Sequence, residues 1–340
     1  MRLPFSNAHV LKALLLSSAI LTIAIPNSAG ALTLKEAASI ALESNPEIGQ
    51  AIENREAIEF ELRQARGLFL PSIDLEGSAG TRRLDNPSRR ALGIEDDSLA
   101  PVEISGVITQ KLFDGGARRA ELERQAARVD SASLRVLERS EYITLQVARE
   151  YLEFLLQAEI VRESSSNLKF HQGVAGNISS GIAGGALTEA DRQQATERVL
   201  SAKARMQEAE QEMEAAKIRF LKLVGKPLSN PQMPKSLAGA LPKSLDGAIG
   251  LARRANPRIH MAGADVDAAD ALVDAARAKF YPEIIAEGRA RIGNDIDGSV
   301  GETNDLQARV VAKWNVYRGG IDKANEQEQI RRASEQRLVL

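Results

Sequence analysis

Residues 45–71 read NPEIGQAIENREAIEFELRQARGLFLP, and residues 256–282 read NPRIHMAGADVDAADALVDAARAKFYP. Both stretches begin with Asn-Pro, and both end with an aromatic residue two positions before a proline. Matching positions are separated by a constant 211 residues, which indicates a duplicated structural unit. That period is too long for a solenoid, so the sequence predicts a tandem duplication of a whole half-molecule.

The composition favours long packed helices over an ordinary globular core. Hydrophobic residues make up 44% of the 340 positions, but aromatic residues make up only 4%, and alanine is abundant instead. Cysteine is absent, which excludes disulfides and thiolate chemistry. The net charge of −2 lacks the basic excess typical of nucleic-acid-binding proteins, so we expect no nucleic-acid partner.

The N-terminus has the pattern of an export signal. Arg2 and Lys12 precede an apolar run over residues 13–25, and the small residues at positions 29–31 suit a cleavage site. The run is shorter than the roughly 20 apolar residues of a membrane-spanning helix, which argues against an anchor. We therefore expect residues 1–31 to be a cleaved signal peptide and the protein to be exported.

The first repeat, residues 32–235, is predicted to contain a helix, a β-hairpin and a long helical hairpin. The apolar positions keep a helical period up to Pro71 and then alternate every second residue, which predicts a β-hairpin over residues 72–113 with a polar loop at 82–101. A helical hairpin over residues 117–224 follows, and its glycine- and serine-rich tip is expected between Gly173 and Gly185.

Both arms of this helical hairpin have apolar seams. In the second arm the apolar positions step by 4 and 3, with small residues in one column and large residues in the other. This alternation predicts the close packing of a coiled coil rather than a solitary amphipathic helix. The small column comprises Ala195, Ala202, Ala209 and Ala216, the large column comprises Val199, Met206, Met213 and Phe220, and the first-arm seam comprises Ala120, Ala127, Leu134, Ala148 and Leu155.

The second repeat, residues 236–340, has the same order of elements up to the start of its long helix. A helix is followed by a β-hairpin predicted over residues 283–317, and a new helix starts at Ile321. The second β-hairpin is seven residues shorter than the first, which a surface loop tolerates. Because no second helical hairpin completes this repeat, we expect the chain to be truncated relative to its ancestor.

The four predicted strands have the length of membrane-spanning β-strands. Each has roughly ten residues and one apolar face, as in a tilted barrel strand. Four strands do not close a barrel, and an open sheet edge would leave backbone groups unpaired in lipid. The sequence therefore predicts a mixed α and β fold, in which several chains supply strands to one transmembrane β-barrel that coiled-coil helices extend.

The mature sequence resembles the TolC family of outer-membrane efflux and type I secretion proteins. The resemblance rests on the duplicated helix–hairpin–helix plan, on Leu32–Ala37, on Asn45–Ile48, on Leu70-Pro71 and on Phe113–Gly116. It implies a homotrimer with four strands per protomer and twelve in the outer-membrane barrel, continued by a helical tunnel through the periplasm. It also implies an exit duct for drugs, toxic compounds or proteins, which works with a periplasmic adaptor and an inner-membrane RND or ABC transporter.

The resemblance places an adaptor-docking tip on this chain. The tip positions are Gly181, Ile182, Leu187 and Thr188, and Asp191 is a candidate for an ion pair at the closed entrance. A local alternative for Asp191 is equally open, because an acid in the first turn of a helix suits the cap and the helix dipole.

Two further groups of residues are assigned to the membrane region. Trp314 and Tyr317 are candidates for an aromatic girdle at the periplasmic boundary in contact with lipid, or else for packing between sheet and helices. The polar strand residues expected to face the lumen are Asp74, Glu76, Glu287 and Arg289.

No catalytic constellation is recognisable in the sequence. His171 and His260 stand alone without metal-ligand spacing, and no glycine loop has the lysine and hydroxyl of a nucleotide site. We expect neither enzyme activity nor a cofactor. The alternatives to a duct are a periplasmic coiled-coil adaptor or scaffold, which two hairpins of membrane-spanning length disfavour, and a truncated, non-functional duct remnant.

Overall fold

The computed structural model describes residues 32–340, so the predicted signal peptide lies outside it. The helices are α1 (Leu34–Ser44), α2 (Pro46–Gly67), α3 (Pro87–Leu92), α4 (Ala117–Ala183), α5 (Glu189–Val224), α6 (Leu245–Ala255), α7 (Pro257–Ala278) and α8 (Ile321–Val339). The strands are β1 (Ser72–Ala79), β2 (Arg82–Arg83), β3 (Ser98–Leu99), β4 (Val102–Phe113), β5 (Glu283–Asn294) and β6 (Glu302–Lys313).

The repeated Asn-Pro pairs begin helices α2 and α7. In both helices the asparagine side-chain oxygen accepts the backbone N–H two residues later at 2.9 Å, and proline occupies the first helical position, where no donor is needed. The Asn45 amide also donates to the Leu223 carbonyl at 3.2 Å, which ties α2 to the end of α5. The bounds of α1 and α6, and of α2 and α7, differ by 211 residues throughout.

The best-buried cluster lies where α1, α2, α4 and α5 meet. The Tyr151 ring packs against Phe220 with the two centroids 6.3 Å apart. Its hydroxyl lies 3.0 Å from the Leu32 carbonyl oxygen and 2.9 Å from both the carbonyl oxygen and the amide nitrogen of Gln232. The cluster comprises Ala37, Ala41, Ile48, Ile143, Val147, Tyr151, Phe220 and Val224.

Helix α4 is longer than the sequence predicted. It spans 67 residues, or about 100 Å at 1.5 Å per residue, and continues through Gly173 and Gly176 to Ala183. The expected start of the tip at Gly173 was therefore wrong. A glycine inside a helix costs about 1 kcal/mol but keeps its backbone hydrogen bond, so a long helix continues through it. The Ser179 and Ser180 hydroxyls also donate to carbonyls of the preceding turn.

The coiled-coil prediction for α5 is confirmed, whereas the seam predicted on α4 is only partly right. The alanine column of α5 is buried, and its large residues are half-buried or buried. On α4, Ala120 and Ala127 are buried, but the other three predicted positions are half-buried. The residues buried there instead are Ile143, Val147, Tyr151 and Phe154. The reason is that α4 contacts α1, α2, α5 and α7 at different heights, so its buried face changes along its length.

The two β-hairpins join into one antiparallel sheet with the order β1-β4-β5-β6. Each strand connects to a helix at the same end of the sheet, and the loops lie at the other end. Residues 82–101 are more ordered than the predicted polar loop, since they contain α3 and the paired strands β2 and β3. Strand β6 ends at Lys313 rather than near residue 317, because no strand among residues 32–340 lies beside residues 314–317.

The sheet has one apolar face, and that face is exposed. Leu75 is 81% exposed and Leu306 is 85% exposed, although they lie in one cross-strand row. Other exposed apolar residues of this face are Ile73, Ile104, Ile108, Ile292 and Val310. Transfer of each such side chain to apolar surroundings contributes about 1.5–3 kcal/mol. A patch of this kind marks an interaction or membrane surface rather than the surface of a soluble monomer.

We expect Tyr151→Phe to lower the free energy of unfolding by about 0.5–1.5 kcal/mol, because the buried ring loses the hydroxyl that bonds the backbone of Leu32 and Gln232. The measurement is the urea midpoint of the detergent-solubilised protein. The matched control is Tyr142→Phe, since Tyr142 lies on the same helix but is 42% exposed. An equal loss in both variants would contradict a specific role for the buried hydroxyl.

Candidate functional site

The sheet face opposite the apolar one carries the charged residues that were predicted from the sequence to face the lumen. Asp74 lies in the same cross-strand row as Arg289, and Glu76 lies in the row of Arg291. Glu287 occupies the row nearer the helices. All four predicted lumen residues therefore share one face, because alternate residues of paired strands point the same way.

Ion pairs connect β4, β5 and β6 across this polar face. The Arg309 guanidinium donates to Glu287 at 2.7 Å, and Arg291 lies 3.8 Å from Glu103, 3.7 Å from Asp305 and within hydrogen-bond distance of Asp297. The sequence reading missed Glu103, Asp305 and Arg309, although they follow the same two-residue period. What the period does not show is which residues of different strands lie opposite one another.

The predicted aromatic pair lies where the second hairpin meets its helix. The Trp314 indole donates to the Phe280 carbonyl at 3.1 Å, and the ring is still 61% exposed. Tyr317 is 82% exposed. In the first repeat the Gln110 amide donates to the Phe69 carbonyl at 3.2 Å in the equivalent position. The described chain therefore leaves both aromatic rings largely uncovered.

The tip between α4 and α5 is a tight turn over residues 184–188. Leu187 folds back on the last turn of α4, and a Cβ atom on Gly181 would lie 2.7 Å from Leu187 Cδ1. The Ala186 amide donates to the Gly181 carbonyl at 2.9 Å, and Gly185 adopts φ of +77°. A side chain at position 181 would displace the Leu187 side chain, and glycine at 185 is favoured by its positive φ.

Asp191 and Thr188 form a capping box at the start of α5. The Thr188 backbone N–H and hydroxyl donate to Asp191 Oδ2 at 2.8 and 2.6 Å, and the Asp191 N–H points back to the Thr188 hydroxyl at 3.4 Å. These hydrogen bonds, led by that of the hydroxyl, hold the pKa of Asp191 below its usual value. The local alternative for Asp191 is therefore present in the structure, whereas no ion pair of Asp191 occurs within the described protomer.

A groove of about 350 Å³ runs beside this cap between the two long helices. Its polar residues include His171, Asp191 and Arg198. The His171 ring packs edge-on against Phe170 with centroids 5.4 Å apart. The groove gives the tip a concave surface that is mainly apolar and lies beside the predicted docking positions.

The loops at the far end of the sheet are clamped by Arg89, which the sequence reading missed. This arginine is only 2% exposed, and its guanidinium donates to the carbonyls of Ile94, Asp97 and Gly298 at 2.6, 3.1 and 3.2 Å. Gly298 belongs to the loop of the second hairpin, so one side chain ties together loops about 200 positions apart in sequence. No local pattern marks such a residue, because its partners are backbone carbonyls.

Across residues 32–340, none of the helices combines the length and hydropathy needed to cross a membrane. The same stretch contains no group of three or more His, Asp or Glu side chains placed to hold a metal ion.

Comparison with known families links the chain to membrane transport. Residues 37–226, more than half of the chain, match the family described as outer membrane efflux protein. A search of curated proteins gives no match.

Solved structures share the fold at low sequence identity. A membrane protein from Pseudomonas aeruginosa has a TM-score of 0.77 at 19% identity, covering 89% of this chain and 71% of that one. The outer-membrane channel OprN has a TM-score of 0.77 at 18% identity, covering 90% and 69%. The outer membrane protein VceC from Vibrio cholerae has a TM-score of 0.73 at 16% identity, covering 89% and 73%. The predicted mixed fold of long helices and antiparallel strands is confirmed.

We expect Thr188→Ala to loosen the tip, because the loss of an N-cap hydroxyl costs about 1 kcal/mol. A nitroxide label introduced through Ala186→Cys reports this as increased mobility in its EPR spectrum, and the chain has no other cysteine to react. The lowered pKa of Asp191 also predicts a pH effect. The carboxylate stabilises the cap fully above the usual aspartate pKa, and this stabilisation is lost as the pH falls through the lowered value.

The control for the tip is Thr196→Ala, which removes a hydroxyl that donates to a carbonyl within the same helix. The label should remain unchanged in this variant. Equal mobility in the two alanine variants, or a pH response that persists in Thr188→Ala, would contradict the capping role.

We expect Arg89→Ala to release the surface loops, because charged hydrogen bonds contribute about 1.5–3 kcal/mol each. Limited trypsin proteolysis of the detergent-solubilised protein should then cleave after Arg82 or Arg83 faster than in the unchanged protein. The matched control is Arg90→Ala, since Arg90 is the next residue of α3 and makes only an exposed ion pair with Asp85. Equal cleavage of both variants would refute the clamp.

Proposed function

The chain belongs to the outer membrane efflux protein family, which its resemblance to the TolC family had predicted, and we propose that it is the exit duct of a tripartite efflux pump or type I secretion system. The observation that carries this proposal is the four-stranded sheet, with one exposed apolar face and one charged face, mounted at the end of a helix about 100 Å long. The apolar face matches contact with lipid, and the charged face matches contact with water.

The orientation of the chain in the membrane follows from how the strands and helices connect. All four long strands meet helices at one end of the sheet, so the helices extend from one side of the membrane only. In an exported protein that side is the periplasm, and the loops clamped by Arg89 then face the exterior. We assign residues 72–113 and 283–317 to the barrel and residues 117–224 to the tunnel wall.

A barrel of this kind needs more than one chain. Three copies supply twelve strands, an even number within the range of outer-membrane barrels. In this homotrimer Asp74, Glu76, Glu287 and Arg289 line a wet lumen. Trp314 and Tyr317, which are exposed at the junction of sheet and helices, form an aromatic girdle in contact with lipid headgroups.

The helical tip is proposed as the docking site for a periplasmic adaptor, which couples the duct to an inner-membrane RND or ABC transporter. Gly181, Ile182, Leu187 and Thr188 lie at the far end of the long helices, where a partner from the opposite membrane would arrive. Asp191 first positions α5 through its cap, and the groove beside it places Arg198 within the same surface. An ion pair of Asp191 at the entrance would form with a neighbouring protomer.

The lumen chemistry favours broad passage over selection by charge. The polar face carries acids and bases in nearly equal number, and several of them pair with one another across β4, β5 and β6. Drugs, other toxic compounds and exported proteins are therefore all compatible with the lumen. Selection would then reside mainly in the inner-membrane partner.

The deciding experiment extracts the protein from outer membranes in mild detergent and measures its mass by native mass spectrometry, followed by conductance in planar bilayers. We expect trimers that open ion-conducting pores. Arg289→Glu should shift the reversal potential toward cation selectivity, and Arg289→Lys should not, since it keeps the charge. A soluble monomer without conductance would overturn the duct and favour a periplasmic scaffold or an inactive remnant.

A further inference from the structure

The two outer strands of the four-stranded sheet each have an edge with no strand beside it among residues 32–340. Strand β1 belongs to the first hairpin and β6 to the second, and they lie at opposite edges. Unpaired edges are templates for another strand, and in lipid their backbone groups must find partners. The question is which residues of a second copy would lie opposite each other.

The duplication supplies an internal template for this contact. Within the first hairpin Ser72 lies opposite Thr109, and within the second Glu283 lies opposite Lys313. These are equivalent positions. The starts of β1 and β5 are 211 residues apart. The sequence Phe-Asp-Gly-Gly at 113–116 and the sequence Tyr-Arg-Gly-Gly at 317–320 are 204 residues apart, as are the starts of α4 and α8. The two hairpins therefore share one register.

The contact between the hairpins, β4 against β5, joins the end of one repeat to the start of the next. In it Thr109 lies opposite Glu287. The equivalent positions in β6 and β1 are Lys313 and Glu76. In the proposed trimer β6 of one copy pairs antiparallel with β1 of the next, and we propose that the register of this contact sets Lys313 opposite Glu76 of the partner subunit. This inference rests on the proposed trimeric duct and adds the register and the residues that set it.

The residues that this register brings together are complementary on both faces. On the polar face a lysine meets Glu76, and Asp74 of the partner subunit lies two positions further along the same strand. Opposite charges across an antiparallel pair stabilise it. On the apolar face Trp314 lies opposite Leu75 of the partner subunit, and both side chains are exposed in the protomer.

The end of β6 supports the same arrangement. The pairing of β4 with β1 ends at Thr109. Strand β4 nevertheless continues to Phe113, because β5 pairs with Lys111 and Phe113. The equivalent residues of the second repeat, 314–317, lack strand structure in the protomer. A partner's β1 in the proposed register would lie beside them and complete the strand.

A glycine gives a second, independent indication. Gly115 has φ of +67°, and a Cβ atom there would lie 2.5 Å from the Ala278 carbonyl oxygen, so this glycine lets α7 approach closely. Its equivalent Gly319 has φ of +62° but meets nothing within 4 Å in the described chain. In the proposed contact Gly67 of the partner subunit takes the place of Ala278. The contact is head-to-tail, and such contacts generate rings when the rotation closes.

The test is disulfide cross-linking in intact outer membranes, which the cysteine-free chain makes clean. Glu76→Cys combined with Lys313→Cys should give covalent dimers and trimers on non-reducing gels after mild oxidation. The matched control combines Glu76→Cys with Arg309→Cys, which lies four residues away on the same face of β6, roughly 13 Å along the strand. This control pair should remain monomeric on the gel.

Charge exchange provides a second measurement that does not depend on cysteine. Glu76→Lys alone and Lys313→Glu alone should each reduce the fraction of trimer that resists detergent, and the double exchange should restore it. Failure of the double exchange to restore the trimer would overturn the ion pair. If trimers form but the control pair cross-links instead, the register is wrong and the duct stands. If no trimer forms in outer membranes with the unchanged protein, the proposed function itself fails.

Discussion

A β-strand presents backbone donors and acceptors along both of its sides, and in lipid every one of them needs a partner. The rest of this structure depends on that constraint. Strands β4 and β5 are satisfied inside the protomer, whereas β1 and β6 each keep an unpaired side among the described residues. The apolar face explains why the sheet leaves water, and its edges explain why one chain is insufficient. The strand register must then be the same in both repeats, because each strand edge pairs with its neighbour in a single register.

The junctions between strands and helices fix where each long helix begins relative to the strand register. Gly115 and Gly116 both have positive φ, and Arg118 pairs with Asp114 at 2.7 Å as α4 begins. The outer loops carry no such restriction, which accounts for a second hairpin that is seven residues shorter than the first. Arg89 nonetheless joins the two loops, so the outer end of the sheet is also held together, by one buried side chain.

The tip shows how one residue supports two interpretations. Asp191 lies where the family resemblance suggests an entrance ion pair, and its sequence context equally favours a cap. The structure contains the cap, with the Thr188 hydroxyl 2.6 Å from the carboxylate. An ion pair would require a partner from another protomer, since the residues that surround Asp191 in the protomer satisfy it locally. The cap fixes the carboxylate in place, which is compatible with a further contact at its free oxygen.

Four features could be recognised from the amino-acid sequence alone: the duplication, the helix starts at Asn45 and Asn256, the α5 heptad and the polar face of the strands. These features are set by local rules, because a cap, a helical period and a two-residue period need only neighbours in the chain. Long-range packing set the β4–β5 pairing, the buried face of α4, the clamp by Arg89 and the end of β6 at Lys313. A period shows which residues share a face, but the element that covers this face lies far away in sequence, and its position follows from packing.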